Sequence, residues 1–208
     1  EDGIRDIGVT GVQTCALPIS PAGAIEAALA LGPGPHGHVL DNLVVSHTLS
    51  KRSSAPGLRS GFVAGSPHAI AMLNRLRVYE AASTPLAVMD AAAALWDDDA
   101  HVEATRALYR RKYEIAERLL GGRHGYYQPA GGFYLWLDVG DGEAAARALW
   151  SEAGIKVLPG GYLTKPSADG SNFGKPYVRI ALVQELEATE IALTRMSQVL
   201  DRLGTSRP

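Results

Sequence analysis

The sequence predicts an α/β protein, and three observations carry that reading. Short runs rich in β-branched and aromatic residues, such as Leu43-Val44-Val45, Phe133-Tyr134-Leu135-Trp136-Leu137 and Tyr177-Val178-Arg179-Ile180-Ala181, have the composition of strands. Between them lie alanine- and leucine-rich stretches whose apolar residues recur at helical spacing. Gly/Pro clusters such as Gly32-Pro33-Gly34-Pro35 separate the two kinds of segment. No internal repeat is visible.

Taken in order, Pro21 to Leu31 reads as a helix stopped by the Gly/Pro cluster. Leu43-Val44-Val45 begins a buried strand that ends at His47 or Thr48, and Gly61-Phe62-Val63-Ala64 is a second strand. A helix is expected over Pro67 to about Glu80, with proline in its first turn where a missing N–H costs nothing. Thr84-Pro85 starts another helix, through Trp96. Asp97-Asp98-Asp99 marks a fresh helix start, since acids complement the positive end of the helix dipole; capping and solvation account for them better than a metal. That helix runs to Leu120 with Val102, Tyr109, Tyr113, Ala116 and Leu120 on one face, and Gly121-Gly122 ends it. Phe133 to Leu137 is a strand, Glu143 to Ala153 a helix, Ile155 to Leu158 a strand and Tyr177 to Ala181 another strand. A helix from Leu186 to Leu203 closes the series, and Thr164 to Pro176 is a polar loop.

Charge and composition narrow the function. A net charge of −2 with dispersed lysines and arginines gives no footprint for nucleic acid. No secretory signal and no apolar run long enough to span a bilayer is present, so the cytoplasm is the expected compartment. Cys15 is the single cysteine. It falls in Val9-Thr10-Gly11-Val12-Gln13-Thr14-Cys15-Ala16-Leu17-Pro18-Ile19, which back-translates in one frame into a short-read sequencing adapter; Glu1 to Asp6 fits the upstream primer. Residues 1–19 are therefore read as a translated adapter artefact and set aside. The rest of the chain then has no cysteine, which removes disulfides, thiol catalysis and cysteine metal sites. His36-x-His38 has no nearby third ligand, so no metal is expected.

The most informative stretch is Thr48-Leu49-Ser50-Lys51-Arg52-Ser53-Ser54-Ala55-Pro56-Gly57-Leu58-Arg59-Ser60-Gly61. A lysine follows a hydroxyl-rich turn, and an arginine flanked by nearby glycines comes eight residues later. This layout resembles the cofactor attachment site of class I/II (fold type I) aminotransferases, which use pyridoxal 5'-phosphate. The resemblance implies that Lys51 attaches to the cofactor aldehyde and that Arg59, Thr48 and Ser50 hold its phosphate. The residue types suit those tasks. Attachment to an aldehyde needs an uncharged amine, which lysine supplies when desolvated or set beside a cation. A phosphate needs directed donors, which a planar guanidinium and hydroxyls provide. The C-terminal end of a strand is where an open α/β sheet presents its ligand.

Three further segments extend the resemblance over Pro21 to about Leu200. Pro129 to Trp136 resembles the turn and strand that open the family's small domain, and Val157 to Tyr162 the loop that closes over substrate. Tyr177 to Ala181 resembles the strand whose arginine binds the substrate carboxylate, which implies that role for Arg179. The implied architecture is the C-terminal part of a fold type I aminotransferase. Residues 20–98 would be a remnant of the large cofactor-binding domain, and 99–208 the interdomain helix with a small α+β domain. The wording of Ser50 to Ser53, Pro56 to Gly65, Ala94 to Asp98, Leu108-Tyr109 and Val178 to Val183 is similar to bacterial N-succinyldiaminopimelate aminotransferases. That branch implies amine exchange between an amino acid and a 2-oxo acid, with N-succinyl-LL-diaminopimelate and 2-oxoglutarate in lysine biosynthesis. Another aminotransferase specificity (N-acetylornithine, aspartate or an aromatic amino acid) and a non-catalytic module of the same fold are the alternatives.

The family's pyridine-nitrogen aspartate and nearby tyrosine would fall in the adapter-like segment, and its Gly-rich loop upstream, so none is carried over; Asp6 and Asp41 are poor substitutes. The chain is expected to be about the C-terminal half of an enzyme, poorly soluble and inactive by itself, with exposed sheet edges and apolar helix faces. A homodimer is the expectation for the complete protein.

Overall fold

The computed structural model describes residues 23–41, 43–80 and 84–205. The adapter-like stretch 1–19 and Cys15 lie outside them. The chain divides into two compact units, residues 1–106 with 130–132, and residues 107–129 with 133–208.

In the first unit, α1 (Ala24–Leu31) starts at Gly23, whose N–H donates to Glu26 Oε2 at 2.9 Å, and stops at Gly32 with φ 82°. Strands β1 (Val44–Thr48) and β2 (Gly61–Gly65) pair antiparallel, with Val45 opposite Ala64 and Thr48 opposite Gly61. The expected burial of β1 needs correction, because only alternate side chains of a strand share a face. Val45 is buried, whereas Val44 is 47% exposed. Between the strands run a single helical turn, α2 (Leu49–Arg52), and a 3-10 turn, Pro56–Leu58. Two longer helices follow, α3 (Pro67–Glu80) and α4 (Leu86–Asp97). Asp98 Oδ1 accepts the N–H of Ala100 at 2.8 Å, so this aspartate caps α5 (Ala100–Leu120).

The second unit is built on a three-stranded antiparallel sheet in the order β3 (Tyr134–Asp138), β5 (Tyr177–Ala181), β4 (Leu158–Pro159). Leu135 faces Ile180 and Leu137 faces Val178 in register, and these four side chains are buried. Helix α6 (Gly142–Ala153) adds Ala145 and Leu149 to the buried set, and α7 (Leu186–Thr205) adds Leu193, Met196, Val199 and Leu200. The α5 face read from sequence is buried as expected at Tyr109, Tyr113, Ala116 and Leu120. Each fully buried leucine, Leu120 on this face among them, contributes about 2–3 kcal/mol. Lys112 is the charged exception. Its ammonium donates to Leu182 O at 2.8 Å and stands 4.6 Å from the Tyr109 ring, which offsets the burial that pushes its pKa down.

Alternation along β3 and β5 puts the next residues on the other face. Tyr134, Trp136, Tyr177 and Arg179 are all part-exposed there, opposite the core.

Candidate functional site

The residues from Thr48 to Gly61 form a closed loop whose shape follows from its hydrogen bonds. Thr48 is extended (φ −141°, ψ 138°), and its Oγ1 accepts the N–H of Ser50 at 3.1 Å, an N-cap for the short turn α2. The same hydroxyl donates to Ser60 O at 3.3 Å, and Leu49 N donates to that carbonyl at 3.1 Å. Leu49 O accepts from Ser53 N and Ala55 N at 3.0 and 3.2 Å. Leu49 is fully buried and anchors the loop from below. The return strand must pass close to the outgoing one at Gly61, where a Cβ would run into the His47 carbonyl. Glycine is the residue this crossing allows.

This loop carries four of the five expected site residues. Thr48, Ser50 and Lys51 are part-buried on one turn, and Arg59 is exposed on the return side. Arg59 holds a left-handed conformation (φ 48°, ψ 35°), and its guanidinium donates to Pro56 O at 3.2 Å. It lines a pocket of about 400 Å³ together with His47, Ser60, Phe62 and Arg77. Lys51, Thr48 and Ser50 are not among that pocket's lining residues. Arg179, the fifth, belongs to the second unit. It is opposite Trp136 in the β3–β5 register, and its guanidinium lies 4.4 Å from the Tyr134 ring centroid. An arginine stacked in this way keeps its planar edge for a carboxylate.

The donor set suits a phosphate-bearing aldehyde. From Leu43 to Tyr79 the sequence has no acidic residue, while Lys51, Arg52, Arg59, Arg75 and Arg77 are cationic. In the Arg59 pocket an anion meets Arg77 and the Ser60 hydroxyl besides Arg59, and no carboxylate from this segment. The one proton of Thr48 Oγ1 is already directed at Ser60 O, so donation from Thr48 to a phosphate requires that long bond to open.

Three residues around the loop escaped the sequence reading. Arg52, Trp96 and His101 connect the lysine turn to the end of α4. The guanidinium of Arg52 reaches Leu95 O at 2.5 Å, and His101 Nε2 is 2.9 Å from Ser53 Oγ. Only the Trp in the Ala94-Leu95-Trp96 stretch hinted at it, since an aromatic at a helix end needs something to cover it.

Comparisons with known proteins establish the class. Residues 20–195 match the family described as aminotransferase class I and II. The chain belongs to that family, which is pyridoxal-phosphate-dependent. It is 32% identical over 158 residues to a 4-dedimethylamino-4-oxo-anhydrotetracycline transaminase of Streptomyces rimosus, covering 76% of this chain and 42% of that protein. An aminotransferase from Neisseria meningitidis Z2491 superposes with a TM-score of 0.78 at 36% identity, over 90% of this chain and 47% of that one. The fold is also that of an α-aminoadipate aminotransferase from Thermus thermophilus, which was solved with N-(5'-phosphopyridoxyl)-L-leucine (TM-score 0.69, 20% identity, 91% of this chain and 48% of that one). The chain thus spans less than half the length of these relatives.

Proposed function

We propose that the protein to which this chain belongs is a transaminase that moves an amino group between an amino acid and a 2-oxo acid. The observation that carries the reading is the capped turn bearing Lys51, with Arg59 on its return side, in a segment free of acids. We assign residues 20–98 to its cofactor-binding part and 99–208 to the interdomain helix and small domain. Lys51 attaches the cofactor, and its amine takes and returns the proton at the amino-bearing carbon. Arg59 and Ser50 hold the phosphate, with Thr48 shaping the turn and sharing that task when its bond to Ser60 opens. Arg179 binds the substrate carboxylate through its planar fork, which orients the reacting carbon. Pyridoxal phosphate, when bound, supplies the electron sink for the bond broken at that carbon.

The finer reading is N-succinyl-LL-diaminopimelate with 2-oxoglutarate, in the cytoplasm and as a homodimer. It is supported by the wording of Ser50 to Ser53, Pro56 to Gly65 and Val178 to Val183. Residues that read a side chain rather than the shared carboxylate are not identified by those segments, so N-acetylornithine, aspartate and aromatic amino acids are the competing substrates. Treatment with pyridoxal 5'-phosphate and borohydride, followed by peptide mass spectrometry, tests the attachment. Lys51 is expected to carry the label, and Lys51→Ala to lose it. A complete enzyme with Lys51→Ala that still transaminates at the unaltered rate would sink the proposal. Relative kcat/KM for the succinylated substrate, N-acetylornithine, aspartate and phenylalanine decides the specificity.

A further inference from the structure

The end of α4 has an unusual cap. Its last turn contains no basic residue, and Asp98 after it is extended (φ −98°, ψ 110°). The carbonyls left open there are met by a side chain from a distant segment. Arg52 Nη1 donates to Leu95 O at 2.5 Å, and Nη2 lies 3.3 Å from Trp96 O, 3.4 Å from Asp98 O and 2.5 Å from Asp99 Oδ1. A cation at this end also complements the helix dipole. The Arg52 side chain is 13% exposed, against 87% for Asp99, so the carbonyl bonds are the sheltered part of this arrangement. The ring of Trp96 lies 5.1 Å from the Arg52 guanidinium carbon. The same ring meets Phe62 edge-on at 5.0 Å and His47 at 6.1 Å. The residue after Lys51 and the residue four before it therefore rest on one indole.

We propose that Arg52 and Trp96 are positioning residues that hold the Lys51 turn in place for cofactor attachment. This rests on the proposed role of Lys51. The turn α2 is only four residues long and cannot hold its own shape by helix propagation. Fixing the side chain adjacent to Lys51 on a long helix gives the amine a stationary base. Arg52→Lys keeps the charge, but its single nitrogen cannot span acceptors that Nη1 and Nη2 divide between them.

The test follows amide exchange and labelling in the complete protein carrying Arg52→Lys. Exchange is read in a peptide covering residues 46–55, where the amides of Leu49, Ser53 and Ala55 are bonded. That exchange is expected to accelerate at least about tenfold, with β3 and β5 peptides unchanged. Borohydride-trapped pyridoxal phosphate at Lys51, relative to exposed Lys165 in the same digest, is expected to fall at least about tenfold. Unchanged exchange in the turn overturns the proposal. Faster exchange with an unchanged Lys51 to Lys165 ratio also overturns it, since Arg52 would then serve stability alone. If Arg52→Lys loosens the whole chain, Trp96→Phe decides, because every backbone carbonyl is kept. Local acceleration in that variant supports the brace, and none overturns it. An unsubstituted complete protein whose Lys51 labels no faster than Lys165 counts against the cofactor reading only, and the exchange result then judges the brace.

Discussion

His47 stacks on Phe62 at 5.4 Å, and its buried Nδ1 has no hydrogen-bond partner among the described residues. Burial, and then the nearby charge of Arg52, push its pKa below the ordinary 6.5. The folded state thus prefers the neutral ring, and the unfolded chain binds the proton more readily. This contribution to stability is complete above the unfolded value of 6.5 and is lost as the pH falls below it through the lower folded value. Urea midpoints at pH 7 and pH 5 are expected to differ in that direction, and His47→Phe to remove this part of the difference. An unchanged difference between the two midpoints in the variant would show that the imidazole is not responsible. Arg179 offers a kinetic counterpart. In the complete enzyme, Arg179→Ala is expected to lower kcat/KM for amino and oxo acid alike by at least about tenfold. Unaltered kinetics would remove it from carboxylate binding.

At the scale of elements, α3 and β5 begin and end where proline, glycine and periodicity placed them, at Pro67–Glu80 and Tyr177–Ala181. The strand expected over Ile155 to Leu158 is corrected to the two residues Leu158–Pro159. Ile155 N is spent on Leu149 O at 3.0 Å, closing α6 behind the left-handed Gly154. Pro159 has no N–H with which to prolong the ladder. Neither effect shows in a run of apolar letters. The Arg52 bonds were hidden for a different reason, since they join residues more than forty positions apart. Helix α6 starts one residue before the expected Glu143, and its cap, Asp141, was not read from the sequence. Asp141 Oδ1 accepts from Glu143 N and Ala144 N at 3.1 and 3.0 Å. Asp141→Ala is expected to cost about 1 kcal/mol, read as a lower denaturant midpoint with the same slope.

For the molecule as a whole, the order of four recognisable segments made the fold legible, while substrate choice was not, since the carboxylate arginine and the lysine turn serve many substrates alike. The second unit buries its apolar sheet face, and Leu137→Ala there is expected to cost about 3 kcal/mol in equilibrium unfolding. The first unit leaves much more uncovered. Met72, Leu76, Val78 and Tyr79 on α3, with Leu86 and Met89 on α4, are each about half or more exposed. The expectation of exposed apolar helix faces therefore holds for this unit. The chain is expected to bind an apolar dye and to self-associate as its concentration rises. Val78→Glu together with Tyr79→Glu should reduce both, as read by fluorescence and light scattering; no reduction would place the contact elsewhere.

The left-handed backbone of Arg59 sets robustness against retention of an anion. A chain tuned for heat resistance alone would favour glycine at this position, relieving about 1 kcal/mol of strain. Arg59→Gly should then melt no lower than the unsubstituted chain, while pyridoxal phosphate bound without borohydride reduction washes out sooner. Sorting variants by melting temperature would promote that change and discard the guanidinium, so a search for hardier forms of this protein has to hold position 59 fixed.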